Sequence, residues 1–331
     1  MATVKDVAEL AGVSTATVSR VLNNSPRVAE DTRARVHQAI EQLNYRPNRL
    51  ARHLRKLTTQ TVGVIIPDIQ NHFFVSVVRG IEDIAFANHH ILLLCNTDDS
   101  PSREKAYIDI LLAEEVAGVI ICAADETMSC KAVRALVDHQ VPVVALDREL
   151  PDLSVDTVLT DNIEACRSAT EYLITAGHKR IGLIAGPDYL APGRERRQGY
   201  ELALASYDLP LDPSIIKITD FTPEQARAAI KELLDVRNPP TAVLVCSGLM
   251  TLEVFKEIQQ RGLSIPDDIA VVGFDDTVMN HCLRRPFPLI TQSTYDLGQF
   301  AAHLLFRRLA DPTIPVQRIR LKTQLVFDPP P

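Results

Sequence analysis

The sequence predicts a small all-α helix-turn-helix head followed by a larger α/β body of two doubly wound parallel-sheet lobes. Three observations predict it. Residues 3–23, TVKDVAELAGVSTATVSRVLN, have the spacing of two short helices around a tight turn. From Val62 onward, short apolar runs alternate with longer amphipathic ones, and the alternation restarts after Asp161-Asn162. Charge divides the chain at the same place. Residues 1–60 hold ten Lys/Arg against five Asp/Glu, whereas the remainder holds 25 against 37. A basic head on an acidic body points to a polyanion-binding module attached to a larger domain with other work.

In the head, Thr3 can cap the first helix, with Asp6 in its first turn and Val4, Val7, Ala8 and Leu10 at helical spacing. Gly12 lets the chain reverse without a Cβ penalty. Ser14 caps the second helix, whose Val18, Val21 and Leu22 face the first. The opposite face carries Thr15, Ala16, Thr17, Ser19 and Arg20. These are short groups with one cation, a surface that can enter a major groove closely. An ordinary helical hairpin has the same spacing, so the basic charge carries part of this argument. A third helix is expected over about 30–43, with Val36, Ala39, Ile40 and Leu43 on one face and Tyr45 closing the small core. Pro47 ends it by disfavouring a helical residue before it. In 48–61, NRLARHLRKLTTQT, Asn48 can cap a short helix bearing Leu50, Ala51 and Leu54 among Arg49, Arg52, Arg55 and Lys56. That helix is too short to be stable alone, and by itself the segment reads as a solvated linker.

In the body, VGVIIP, ILLLCN, GVIICA and VPVVALD read as strands separated by helical segments; RIGLIAG, IIKITD, TAVLVCS and IAVVGFDD repeat the arrangement. Such sheets have buried strands and bind ligands beyond their carboxyl ends. Two lobes would therefore face each other across a cleft. Asp68, Asn71, Phe73 and Phe74 follow the first strand, and Asp147 and Arg148 the fourth. Arg196 opens a helix of the second lobe, Phe221 follows a strand, and Asp275 ends VVGFD. Carboxylates and guanidinium groups suit vicinal hydroxyls, and aromatic rings suit the C–H faces of a sugar. The alternatives are core packing for the aromatics, a surface ion pair for Asp147 and Arg148, and a loop cap for Asp275. Beyond about Leu289, strand-like LITQST, a helix over 295–309 and strand-like RIRLKTQLV are expected to return to the first lobe.

Composition excludes several classes. Of 331 residues, 46% are hydrophobic and 23% charged, as in a globular protein with a full core. Six scattered cysteines form no CxxC pair, no apolar run is long enough to span a bilayer, and no leader is expected before the first helix. A reducing cytoplasm and no membrane partner are expected. There is no GxxxxGK, GxSxG or HExxH, and His89-His90 and His178 lack ligand partners at useful spacing. No catalytic residue, metal or cofactor is expected. A sheet of this class also serves enzymes and solute receptors, so Asp275-Asp276 as a Mg²⁺ site, and the head as a mere appendage, stay open at this level.

Specific segments narrow the choice. VKDVAELAGVSTATVSRVLN, LNYRPNRLAR, VGVIIPD, GHKRIG and VVGFDD, in that order, closely resemble the lactose-repressor (LacI/GalR-type) family of bacterial transcription regulators over nearly the whole chain. The resemblance implies a DNA-binding domain at 1–47, a hinge helix at 48–60 and a periplasmic-binding-protein-like effector core at 61–331. Lobe 1 would hold about 61–161 and 291–322, and lobe 2 about 162–290. It implies a cytoplasmic homodimer, or a dimer of dimers, on a near-palindromic double-stranded operator, with a small effector between the lobes. By family position, Thr15, Ala16 and Arg20 would contact base edges, and Ser14, Thr17, Ser19 and Asn23 phosphates. Leu54 would wedge into the minor groove, with Ala51 one turn before it. Ligand positions fall on Phe73, Phe74, Arg148, Arg196, Phe221 and Asp275. Leu190 and Pro192 replace the polar Arg and Thr expected of a purine-responsive member, Gly248 replaces an acidic residue common in sugar-responsive ones, and His72 replaces a common proline. A sugar, polyol or sugar derivative is the expected effector.

Overall fold

The computed structural model describes residues 2–22, 25, 27–45, 59–275 and 287–327. Two compact units divide the chain, Met1–Thr59 and Gln60–Pro331. The expected hinge residues Ala51 and Leu54, together with Asn23, lie outside the described residues.

The first unit contains α1 (Val4–Ala11), α2 (Thr15–Leu22) and α3 (Glu30–Gln42). Thr3 and Asp6 form a reciprocal capping box at the start of α1. Gly12 ends α1 at φ 65°, and its N–H bonds back to Ala8 and Glu9. A residue with a Cβ is disfavoured in that conformation. The three helices share one apolar centre of Val7, Ala8, Ala11, Val18, Val21, Val36 and Ala39, with Tyr45 packed against it. Leu10, expected on the inner face, is 51% exposed. Ala11 takes the inward position, because it lies three and four residues from Ala8 and Val7.

The second unit runs β1 (Thr61–Ile66), α4 (His72–Ala87), β2 (Ile91–Asn96), α5 (Pro101–Ala113), β3 (Gly118–Ile121), α6 (Glu126–Asp138), β4 (Val143–Leu146) and β5 (Asp156–Thr160). The second half follows with α7 (Asn162–Thr175), β6 (Ile181–Ala185), α8 (Ala191–Ser206), β7 (Ile216–Ile218), α9 (Pro223–Asp235), β8 (Ala242–Val245), α10 (Gly248–Gln260) and β9 (Ala270–Phe274). The chain closes with β10 (Leu289–Thr291), α11 (Thr294–Ala310), β11 (Arg318–Leu321) and β12 (Gln324–Val326). One sheet has the order β11-β5-β4-β3-β1-β2, the other β12-β10-β9-β8-β6-β7. Among the described residues every strand pairing is parallel except β10 with β12. Central strands such as β3, β4, β6 and β8 are buried throughout, which is why they read as unbroken apolar runs. ILLLCN is equally apolar but forms edge strand β2, where Ile91 and Leu93 are exposed.

Among the described residues the chain crosses between the sheets three times: after β5, after β10 and after β11. RIRLKTQLV is thus two strands in different sheets, not one. Helix α11 packs on the first lobe, where Thr294 bonds Ser76 at 2.8 Å and the Tyr295 hydroxyl donates to Asp83 at 2.7 Å. Arg308 grips the buried Asp156 of β5 through Nε at 2.6 Å and Nη2 at 3.1 Å.

Candidate nucleic-acid interface and inter-lobe cleft

In the first unit, Val18 and Val21 seat α2 on its neighbours and so fix what its other side presents. Ser14, Thr15, Ala16 and Arg20 are exposed, and Thr17 and Ser19 are half-buried. Ser14 starts the helix as expected: its hydroxyl accepts the Thr17 N–H at 3.1 Å and lies 2.9 Å from the Thr17 hydroxyl. Arg33 donates to the Ser25 carbonyl at 3.0 Å and ties down the connection to α3. The result is a rigid convex helix face of small side chains with one guanidinium, a shape that matches the major groove.

In the second unit, a cavity of about 500 Å³ opens between the two lobes. All nine expected cleft residues line it, eight picked out after strands and Arg196 on a helix: Asp68, Asn71, Phe73, Phe74, Asp147, Arg148, Arg196, Phe221 and Asp275. Parallel strands deliver their following loops to one edge, so residues distant in sequence converge there. Asp147, Phe221 and Asp275 share a left-handed backbone, with φ of 62°, 66° and 61°. Holding three non-glycine residues this way costs on the order of 1 kcal/mol each, and such strain concentrates at ligand sites.

Arg196 does not open its helix. Helix α8 begins five residues earlier, and Arg196 lies in its second turn. Its Nε donates to Asn162 at 2.8 Å, its Nη1 to the Cys246 carbonyl at 2.7 Å, and its guanidinium covers the Phe274 ring at 3.9 Å. Arg148 pairs with Asp99, Nη1 to Oδ1 at 2.5 Å, and donates to the Ala123 carbonyl at 2.7 Å. The surface pairing of Arg148 with its neighbour Asp147 is not formed; Asp147, Arg148 and Arg196 are all buried. Burial pushes the Asp147 carboxyl up, against the pull of Arg196 and Arg148. Burial also raises Asp275, opposed by Arg196 and by a hydrogen bond from Gln292 at 2.5 Å. Phe73 and Phe74 meet edge-to-face at 4.9 Å and belong largely to the first-lobe core, so packing and cavity lining coexist in them. Phe221 is half-buried.

Residues 3–48 match the family model described as bacterial regulatory proteins, lacI family, and residues 59–317 match periplasmic binding proteins and sugar binding domain of LacI family. The chain belongs to the LacI family. The HTH-type transcriptional repressor PurR of Histophilus somni (strain 129Pt) is 33% identical over 327 residues, which cover 99% of this chain and 98% of that protein. A structure of the transcriptional regulator CelR in complex with cellobiose shares 32% identity over 99% of each chain, with a TM-score of 0.75. The Lac repressor dimer bound to operator and the anti-inducer ONPF shares 29% identity over 98% of this chain and 97% of that one, with a TM-score of 0.87. This LacI-family chain is a helix-turn-helix, DNA-binding transcription regulator, and not an enzyme.

Sequence reasoning missed part of the regulator's cavity wall. Asp98 and Asp99 follow β2 and line the cavity, so the strand-end rule applied to ILLLCNTDD finds them. Gln292 directly follows β10, inside the strand-like LITQST run, so the strand-end rule applied there finds it as well. Tyr189 and Ser247 lie in loops after β6 and β8. Among the described residues, no group of three or more His, Cys, Asp or Glu is placed to hold a metal ion, and no helix is long and apolar enough to cross a membrane.

Proposed function

We propose that this LacI-family protein is a homodimeric repressor whose affinity for a near-palindromic operator changes when a small carbohydrate occupies the inter-lobe cavity. The single observation that carries the reading is where the cavity lies. Carboxylates, guanidinium groups and rings from both lobes line it, and Gln292, in one of the three crossings, forms part of its wall. A ligand held by both lobes binds one inter-lobe angle better than another, and that difference is what shifts the population.

In this reading Asp68, Asn71, Asp147, Arg148, Arg196 and Asp275 exchange hydrogen bonds with sugar hydroxyls, while Phe73, Phe74 and Phe221 pack on its C–H faces. Thr15, Ala16 and Arg20 meet base edges, with Arg20 placed to reach a guanine through O6 and N7. Ser14, Thr17, Ser19 and Asn23 meet phosphates and set register. Residues 48–60 order against the duplex, Leu54 enters the minor groove beside Ala51, and bending offsets the cost of unstacking. Exposed apolar side chains at the first-lobe edge, Phe86, Ile91 and Leu93, support a dimer, as does the dimeric assembly of the Lac repressor.

The test uses the full chain and DNA fragments enriched from its own genome for specific binding, titrated with neutral sugars in gel shifts. One sugar should weaken specific binding by about 5–150-fold, the range of a typical allosteric coupling. Operator affinity indifferent to every sugar that binds the protein refutes the reading.

A further inference from the structure

The charge and hydrogen-bond inventory of the cavity constrains its ligand more tightly than "carbohydrate", the reading on which this inference rests. Six aspartates line the cavity against two arginines, with no lysine or histidine among the described lining residues. Asp98 is paired with Arg103, and Asp99 with Arg148. Asp147 and Asp275 both lie in the field of Arg196, Asp147 also in that of Arg148, while Asp68 and Asp220 add two further carboxylates to the wall.

Anions are usually held at helix N-termini, where unpaired backbone N–H groups converge. Helices α4, α8, α9 and α10 begin at the cavity wall, and each already has an oxygen on its first turn. Asn71 accepts the Phe73 N–H at 3.1 Å. Glu126, reaching from the first lobe, accepts the Ala191 N–H at 2.7 Å. Thr222 accepts the Gln225 N–H at 3.5 Å, and Asp275 accepts a backbone hydrogen bond from Gly248. Two of these four caps are themselves carboxylates. An incoming phosphate would compete with an internal acceptor at each of these helices, and at α8 and α10 it would also meet that acceptor's negative charge.

The unmet hydrogen-bonding capacity has the opposite character. Among the described residues, Asp147 Oδ1, Gln292 Oε1 and Arg148 Nε are buried at this site without a partner. Two are acceptors and one is a donor. An unpaired buried acceptor is costly until a ligand supplies a donor.

We infer that the cavity takes a carbohydrate without an anionic group, whose hydroxyl protons reach Asp147 Oδ1 and Gln292 Oε1, and that it rejects phosphorylated and acidic sugars. Gln292 is thereby a specificity-determining residue. It holds Asp275 with its amide and offers its carbonyl to the ligand.

The test is calorimetry and thermal shift on the full-length protein with matched panels: glucose, glucose 6-phosphate and glucuronate; ribose and ribose 5-phosphate; neutral disaccharides and their aldonic acids. Neutral members should supply the binders. An anionic counterpart should bind at least about 30-fold more weakly, the repulsion of one extra unit charge about 8 Å away at an effective dielectric of about 20. Asp68→Asn keeps the acceptor that receives the Gln70 N–H at 2.8 Å and should narrow that gap. Gln292→Leu should weaken the neutral sugar about tenfold, as loss of a buried hydrogen bond implies. An anionic sugar binding within about tenfold of its neutral counterpart overturns the inference. If that sugar also releases the operator, the regulatory reading stands and charge selection alone falls. Failure of every panel member to bind overturns both.

Discussion

Glu126 bridges the two lobes, and removing it should measurably loosen the arrangement that they hold here. This residue begins α6 in the first lobe and is buried. Its Oε1 accepts the N–H of Ala191, the first residue of α8 in the second lobe, at 2.7 Å. The same oxygen receives the Glu149 N–H at 3.4 Å, and Oε2 lies 3.2 Å from Arg194 Nη2. A hydrogen bond to a charged acceptor contributes about 1.5–3 kcal/mol. The pair with half-exposed Arg194 adds under about 1 kcal/mol. Glu126→Ala should therefore shift the balance between this bridged arrangement and an unbridged one by about 2 kcal/mol, or roughly 30-fold. A second link survives, because Arg320 of β11 still holds Glu195 of α8 at 2.9 and 3.0 Å. Amide hydrogen exchange reads the change directly. The Ala191 amide should exchange about 30-fold faster, while amides of β3 and β8 keep their protection. Glu126→Gln retains an oxygen acceptor and should lose less. Unchanged exchange at Ala191, or an equal loss across both sheets, refutes the bridge.

Other perturbations act on separate parts of the molecule. Arg20→Ala should relax operator preference at one position per half-site, with about 1–3 kcal/mol lost there, read by binding to a library of single-base operator variants; a uniform loss at all positions would assign Arg20 to phosphate instead. A Cβ on Gly186 would stand 1.9 Å from Phe221 Cζ. Gly186→Ala should therefore dislodge that ring and weaken carbohydrate binding at least tenfold by calorimetry, with the fold retained by circular dichroism; unaltered affinity would remove Phe221 from the ligand. Asp147 titrates above the ordinary carboxylate range because burial opposes its charge. Its contribution to stability is thus full below the unfolded-state pKa and lost as pH rises through the folded value. Asp147→Asn, which tolerates the left-handed backbone, should raise the ligand-free Tm at neutral pH, by about 2–4 °C for each kcal/mol relieved. The gain should vanish below about pH 4, and a gain that is independent of pH would contradict the burial argument.

Local features were legible in the chain, and they reach the helix face of the head and part of the cavity wall. The Thr3–Asp6 capping box, the left-handed Gly12 and the Ser14 cap are all interactions within a few residues. The second helix therefore takes its place and presents its outer face as its spacing dictates. Strand ends were equally legible, because a buried parallel strand is a short apolar run with an abrupt polar end. That is how eight lining residues from both lobes could be named from the sequence; the ninth, Arg196, was placed at the start of a helix and lies in its second turn. Leu10 misled because two adjacent residues, Leu10 and Ala11, both satisfy helical spacing from Val7, and the packing of the three helices together decides which faces inward.

The sequence by itself determined the kind of elements, their order, the charge division between head and body, and the edge of each sheet where polar residues gather. Tertiary structure alone decided the partners: Asp99 for Arg148, Asn162 and the Cys246 carbonyl for Arg196, Ala191 for Glu126, and Gln292 for Asp275. It also split RIRLKTQLV between two sheets. Periodicity is set by contacts three or four residues apart along a helix, or two along a strand. A carboxylate reaching 65 positions along the chain is placed by strand order and lobe crossings, which leave no mark on the residues at either end.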